Sequence, residues 1–378
     1  YRCVWSCHHL LLDGWSGAIV LGEVLTIYES IIKAQDAPRD TPPPYQNYIT
    51  WLKKQDITRA ESFWRQTLNG FATPTPLGIS ARLDGKDIHA EGYEKVHVSF
   101  SPSATDAILH FTKHHHITLN TILQGTWALL LSRYSGRNEV VFGTTLSGRP
   151  PELAGIESMV GLFVNTLPMR VRIASDDSLG SWLYHLQMQQ AAMIPYAYTS
   201  LMQVQSWSDI PGRSRLFDSL IVFENYPWRD HTIGGERTLD CSDFHGPVAT
   251  SYPLTIIAHQ KPALSLQIIY DRRMFTQADI AQTGTHIQTL LHQMTTSDGT
   301  LAELLPDLEV NRHTPPLDQQ TPSPDRPTPD HPVLPDAETS TTPIEALLTS
   351  LWKEVLDVTH IDPKDNFFEL GGYSLTVV

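Results

Sequence analysis

Val4 and Trp5 stand in a short run, residues 1–9, that leads into two adjacent histidines, and this run reads as a strand. Trp15, Ala18, Ile19, Leu25, Tyr28 and Ile32 then recur at three- and four-residue steps, which predicts an amphipathic helix over 15–32 with Asp13 at its N-cap. Residues 38–44 are proline-rich and close that unit. The next stretch, "YQNYITWLKKQDITRAESFWRQTLNG" (45–70), predicts a polar-aromatic helical segment ended by Gly70. From about 93 to 310 the apolar period switches repeatedly between two and about four. "EKVHVSF", "EVVFGTTLSGRP", "FVNTLPMRVRI", "FDSLIVFENYP" and "LSLQIIYD" read as strands bounded by Gly, Pro or Asn. "ITLNTILQGTWALLLSRYSG" has helical spacing and a glycine stop. The whole reads as mixed α/β without an internal repeat.

The pattern changes sharply at 311–343, where nine prolines are interleaved with Thr, Ser, Asp and Gln. Such a segment cannot bury a core and is expected to be an extended, semi-rigid linker. A helix then starts with Thr342 as N-cap, Pro343 as N1 and Glu345 as N3, a capping box. Leu347, Leu348, Leu351, Trp352 and Val355 form its apolar face. The expected organisation is a large unit, 1–310, a linker, 311–341, and a small unit, 342–378. Residue 1 is Tyr inside an apparent strand and the last residues follow a helix start, so both ends read as cut from something longer.

Composition narrows the function classes. Of 378 residues 41% are hydrophobic and 18% charged, which fits ordinary globular domains. A net charge of −14 disfavours nucleic acid and anionic membranes as partners, since both are bound by basic patches. Cys3, Cys7 and Cys241 make no disulfide framework, which suggests a reducing, cytoplasmic compartment. No signal peptide is evident and no apolar run reads as long enough to span a membrane.

The chemistry concentrates in two places. In "CHHLLLDGWS" (7–16) a neutral imidazole ahead of a helix can accept and return a proton near neutral pH. Alternation along a strand sends His8 and His9 to opposite faces, so one faces a cleft and the other packs behind. Asp13 either caps the helix or pairs with a cation, and Gly14 allows close backbone approach. A metal set of Cys3, Cys7, His8 and His9 is disfavoured by those alternating faces, and His114–His116 reads as a solvated connection, so no metal site is expected. In "DNFFELGGYSL" (365–375) two glycines permit a tight turn before Ser374, which starts a helix and so suits a phosphate or serves as a plain N-cap. A nucleophile elbow would need glycine two residues after the serine, where Thr376 stands.

The string H-H-x-x-x-D-G resembles the signature of condensation domains of nonribosomal peptide synthetases. Five further segments match the same family in order: "YQNYITWLKKQD" (45–56), "VVFGTTLSGRP" (140–150), "GLFVNTLPMR" (161–170), "LFDSLIVFENYP" (216–227) and "YDRRMF" (270–275). The resemblance implies a two-lobed α/β fold like chloramphenicol acetyltransferase, with 1–70 ending the first lobe, 71–310 forming the second, and a tunnel between. It places His9 toward the tunnel and His8 behind it, makes Asp13 structural with Arg149 as its cation, and makes Asn165 and Asn225 tunnel or supporting residues. If Asp13 and Arg149 pair, exchanging them is expected to restore what each single reversal loses. "DNFFELGGYSL" resembles the motif of carrier domains, small four-helix bundles in which the matching serine, Ser374 here, holds 4′-phosphopantetheine. Tyr373 replaces the family's usual His or Asp.

The activity implied is amide formation between a donor acyl or peptidyl thioester and the amine of an acceptor aminoacyl thioester. A free α-amine has a pKa of about 7.7–8.0, so much of it is already deprotonated in the cytosol, and positioning can contribute on the order of 7–11 kcal/mol. His9 then acts as base, positioning donor or oxyanion stabiliser. The implied partners are loaded carrier domains, a phosphopantetheinyl transferase and an adenylation domain acting in trans, because 311–341 is too short to contain one. An ester-forming acyltransferase of the same fold and a non-catalytic scaffold for the carrier are the rival readings. The family has on the order of a hundred residues before the histidine motif that this chain does not show, so the fragment alone is expected to be incomplete.

Overall fold

A computed structural model describes residues 4–36, 41–79, 92–211, 214–224, 250–260, 262–296 and 299–304, together with 349, 350, 353 and 361. The chain divides into two compact units, Tyr1–Arg312 and His313–Val378. Asn225, Ser374, the linker and nearly all of 342–378 lie outside the described residues.

Three helices come first: α1 (Gly14–Ile32), α2 (Gln46–Leu52) and α3 (Ile57–Leu68). They are followed by β1 (Tyr93–Ser99), α4 (Pro102–His114), α5 (Leu119–Ser135), β2 (Glu139–Leu146), β3 (Asn165–Arg172), α6 (Leu179–Met193) and α7 (Leu201–Ser206). The unit closes with β4 (Ser219–Glu224), β5 (Leu254–His259), β6 (Ser265–Asp271), α8 (Gln277–Thr296) and α9 (Leu301–Leu304). The six strands form one mixed sheet in the order β1-β6-β5-β4-β2-β3. β2, β4 and β5 run parallel at its centre, and the remaining pairings are antiparallel. All strands among the described residues come from 93–271, so the segment expected to end a first lobe contributes helices alone.

The strongest sequence patterns became elements for evident reasons. Helix α5 begins at Thr118, whose hydroxyl accepts from the Thr121 N–H, and stops at Gly136, which adopts φ +69°. It is buried on every side from Leu119 to Ser132 except at Asn120, which matches its near-continuous apolar sequence. Its Trp127 donates to Ser219 Oγ of β4 at 3.0 Å, tying helix to sheet.

Five expectations change. Residues 4–8 are not a strand; no ladder partner lies beside them among the described residues, and unpaired backbone does not hold an extended strand. The helical stretch 45–70 is two helices, divided where the Asp56 carboxylate accepts from the Thr58 and Arg59 N–H groups and restarts the helix. Strand β5 is additional: "LTIIAH" lacks alternation because its consecutive residues Leu254, Thr255 and Ile256 are all buried, so neither face is polar. In α1 the buried positions are the small ones, Ser16, Ala18, Gly22 and Ser30, whereas Val24, Ile27, Tyr28, Ile31 and Ile32 are exposed. This helix is apolar nearly all round, with a mean hydropathy of 1.3, so the pattern does not select the face that docks. By length and composition α1 could cross a membrane, contrary to the sequence reading, yet its first turn is fastened into the α/β unit through Asp13 and Ser16.

Candidate active site

The motif loop is built around Asp13. Its side chain is 3% exposed and both of its oxygens are engaged. Oδ1 accepts from the Ser16 N–H at 2.7 Å, the N-cap bond of α1, and Oδ2 accepts from the Phe163 and Val164 N–H groups at 3.0 and 3.3 Å. The Asp13 N–H donates to the Gly161 carbonyl at 3.2 Å. Arg149, expected as its cation, lies with Nη2 3.5 Å from Oδ1, and its side chain is 4% exposed.

Arg149 does more than neutralise Asp13. Nη1 donates to the carbonyls of Ile156 and Met159, and Nη2 donates to Ser16 Oγ at 2.9 Å. Ser16 Oγ in turn donates to the Gly161 carbonyl at 2.7 Å and accepts from the Gly161 N–H at 3.1 Å. The guanidinium lies 4.0 Å from the Phe163 ring centre and 5.3 Å from that of Trp15. Burial draws its pKa below the ordinary arginine value, opposed by Asp13. Gly161 is required by close approach, because a Cβ there would collide with the Tyr45 ring. At Gly148, with φ +61°, a Cβ would run into the Phe163 carbonyl.

An aromatic wall backs this knot. Tyr45 donates to the Leu162 carbonyl at 2.6 Å and meets Phe163 edge-on at 5.1 Å. Tyr48 meets Phe163 at 4.8 Å and stacks on Trp51 at 5.8 Å. Burial, then the nearby Asp13 charge, pushes the Tyr48 phenol up to about 12, and burial followed by Tyr48 and Asp13 raises Tyr45 further.

The histidines are left outside the knot. Both are exposed, and His8 Nδ1 accepts from the Leu10 N–H at 3.1 Å while its carbonyl accepts from the Leu11 N–H at 3.0 Å. This turn replaces the strand, so alternation does not separate the two rings and His8 is not packed behind His9. Acceptance at Nδ1 selects the Nε2–H tautomer for neutral His8. Among the described residues no group of three His, Cys, Asp or Glu is arranged to hold a metal ion.

The Asp13 anchor couples this loop to the segment that leads into β3. A family model described as "Condensation domain" matches residues 1–305. The chain belongs to the condensation-domain family. It is 40% identical over 274 residues to a chondramide synthase of Chondromyces crocatus, covering 72% of this chain and 7% of that protein. It is 35% identical over 300 residues to surfactin synthase subunit 3 of Bacillus subtilis (strain 168), covering 78% of this chain and 23% of that protein. The chain thus spans a small part of these curated relatives. Its fold is similar to that of the X-domain from teicoplanin biosynthesis, with a TM-score of 0.64 and 18% identity over 80% of this chain and 70% of the other. It is also similar to the first condensation domain of the calcium-dependent antibiotic synthetase, with a TM-score of 0.61 and 14% identity over 78% and 65%.

Within this condensation fold Asn165 is 3% exposed, and its amide donates to the carbonyls of Ala197 and Thr199 at 2.8 and 2.7 Å, a clamp on the connection after α6. Gly14 opens α1 as its first helical residue, half-buried beside Asp13. Sequence reasoning did not single out Ser16, Tyr45, Gly161 and Phe163, which complete the Asp13–Arg149 assembly. Ser16 follows the motif directly, and its small hydroxyl amid "DGWSGAI" is the one signal the sequence offered.

Proposed function

We propose that this condensation domain forms an amide bond between a donor acyl or peptidyl thioester and the amine of an acceptor aminoacyl thioester, as part of a nonribosomal peptide synthetase. The observation that carries this reading is the division of labour in the motif. Asp13, Gly14 and Arg149 hold the loop at the edge of the sheet, and His9 is presented without a competing bond to Asp13. An aligned amine near its own pKa and an activated thioester need little more than positioning and one proton acceptor. The exposed apolar positions of α1 follow the uncovered histidines and suit the wall of a tunnel.

The synthetase reading extends to 342–378 as the start of a carrier domain after a proline-rich linker at 311–341, with Ser374 as the attachment residue. A 4′-phosphopantetheine arm there would supply a thiol that carries the acyl group. A phosphopantetheinyl transferase would install it, an adenylation domain would load it in trans, and the work would take place in the cytoplasm. Incubating the intact synthetase with donor- and acceptor-loaded carriers and weighing the product tests the function. The expected product is an amide that His9→Ala fails to make; an ester, or equal product from His9→Ala, overturns it. A mass gain on Ser374 after reaction with the transferase and coenzyme A tests the carrier.

A further inference from the structure

A cavity of about 430 Å³ lies at the carboxyl ends of the three parallel strands, the position where open α/β sheets bind ligands. Thr144 of β2, Phe223 of β4 and Gln260 just after β5 line it from the sheet, and Asn120 and Gln124 of α5 and Gln190 of α6 line it from the helices. Among the described lining residues none carries a charge. Leu146 lines it too, and its backbone pairs with Asn165, which adjoins the Val164 N–H held by Asp13. Cavity and histidine loop therefore share one corner of the sheet.

The polar lining is pre-set. Gln124 is 1% exposed and its amide donates to Thr144 Oγ1 at 2.8 Å and Asn120 Oδ1 at 3.2 Å, while its carbonyl accepts from Gln190 Nε2 at 3.0 Å. Gln190 Oε1 accepts from Thr121 at 3.2 Å. Each of these oxygens thereby accepts at least one bond from a neighbouring side chain. Asn120 enters these bonds through its oxygen and Thr144 as an acceptor, which leaves the Asn120 NH₂ and the Thr144 O–H as donors on the lining. These donors suit a neutral carbonyl oxygen. An ammonium group would lose its water there and meet no counter-charge among the described lining residues.

We propose that this cavity holds the side chain of the aminoacyl substrate and selects an uncharged, carbonyl-bearing side chain through Asn120 and Thr144, oriented by Gln124. This rests on the condensation reading. The test measures binding of glutaminyl-, leucyl- and lysyl-pantetheine amides to the full chain, with free-amine and N-acetylated versions of each to distinguish an acceptor from a donor group. Glutaminyl should bind at least ten-fold more tightly than lysyl in one of the two versions. In Asn120→Leu/Thr144→Val the preference for glutaminyl over leucyl should collapse to about one. Asn120→Asp should gain about ten-fold in lysyl binding, a gain that misfolding cannot produce. Equal binding of lysyl and glutaminyl, or a preference unmoved by the double substitution, overturns the proposal. Failure of the synthetase to condense any of the three groups, with the binding preference intact, overturns the condensation reading alone.

Discussion

The two halves of "HHLLLDG" have opposite environments although only three leucines separate His9 from Asp13. Asp13 is buried, accepts three backbone N–H bonds and pairs with Arg149, whereas the exposed His8 ring makes one local bond among the described residues and His9 is exposed. The carboxylate of this motif is architecture. It fixes the first turn of α1 against 161–164 and does not orient the imidazole, in contrast to a Ser-His-Asp triad, where the carboxylate bonds the histidine directly. The imidazoles stay exposed because another group carries the structure.

The largest effect should come from leaving Asp13 buried without its cation. Arg149→Met should lower stability by about 3–5 kcal/mol in urea unfolding, since the remaining carboxylate and the Ile156 and Met159 carbonyls lose their partner. A loss under about 1 kcal/mol would erase the contrast between the halves. The exchange Asp13→Arg/Arg149→Asp should not recover the fold, because arginine cannot accept from Ser16, Phe163 and Val164. The structure thus reverses the expectation that a simple charge swap would be tolerated.

Ser16→Ala should come next, at about 1–3 kcal/mol, because it strips one hydroxyl from Arg149 and from both backbone groups of Gly161 in a buried site. His9→Ala should leave the unfolding midpoint within about 0.5 kcal/mol of the original, as expected for an exposed side chain. In the intact synthetase the same substitution should lower condensation on the order of 10²-fold or more if the ring transfers the proton. A His9→Ala protein that is strongly destabilised would place His9 in the architectural half and break the comparison.

The alternating and helical periods in the chain were enough to find β1, β2, β3, β4, β6 and α5, and the cap at Asp13 was legible from one residue. Strand β5 was hidden because both its faces are buried at its start and its pattern has no polar face. The docking face of α1 was hidden for the related reason that an apolar helix offers no contrast, and contact is made by Ser16, Ala18, Gly22 and Ser30. The Asp13–Arg149 pair could be proposed from motifs 136 residues apart, yet Ser16, Gly161 and Tyr45 could not, because their part depends on backbone groups that only the folded chain brings together. Gln124 was visible as a lone amide within "TILQGTWALLL", but its partners Thr144 and Gln190 come from other elements.

The smallest effect is silent at neutral pH and sharpens the contrast from the alkaline side. Tyr48 is 1% exposed beside the Asp13 half, and its phenol is pushed up to about 12 by burial and then by the Asp13 charge. In the unfolded chain a tyrosine loses its proton near about 10. Between those values the unfolded state binds fewer protons than the folded one, so stability is full below the unfolded pKa and falls as pH rises toward the folded one. One such group contributes a slope of about 1.4 kcal/mol per pH unit in the middle of that window. Tyr48→Phe should therefore flatten the alkaline loss of stability between about pH 10 and 12 by roughly one proton's worth, and change little at pH 7. Histidine substitutions at 8 or 9 should leave that alkaline limb unaltered, because both rings stand in solvent. An unchanged alkaline slope in Tyr48→Phe would mean that the buried half of the motif opens to water before its tyrosines ionise.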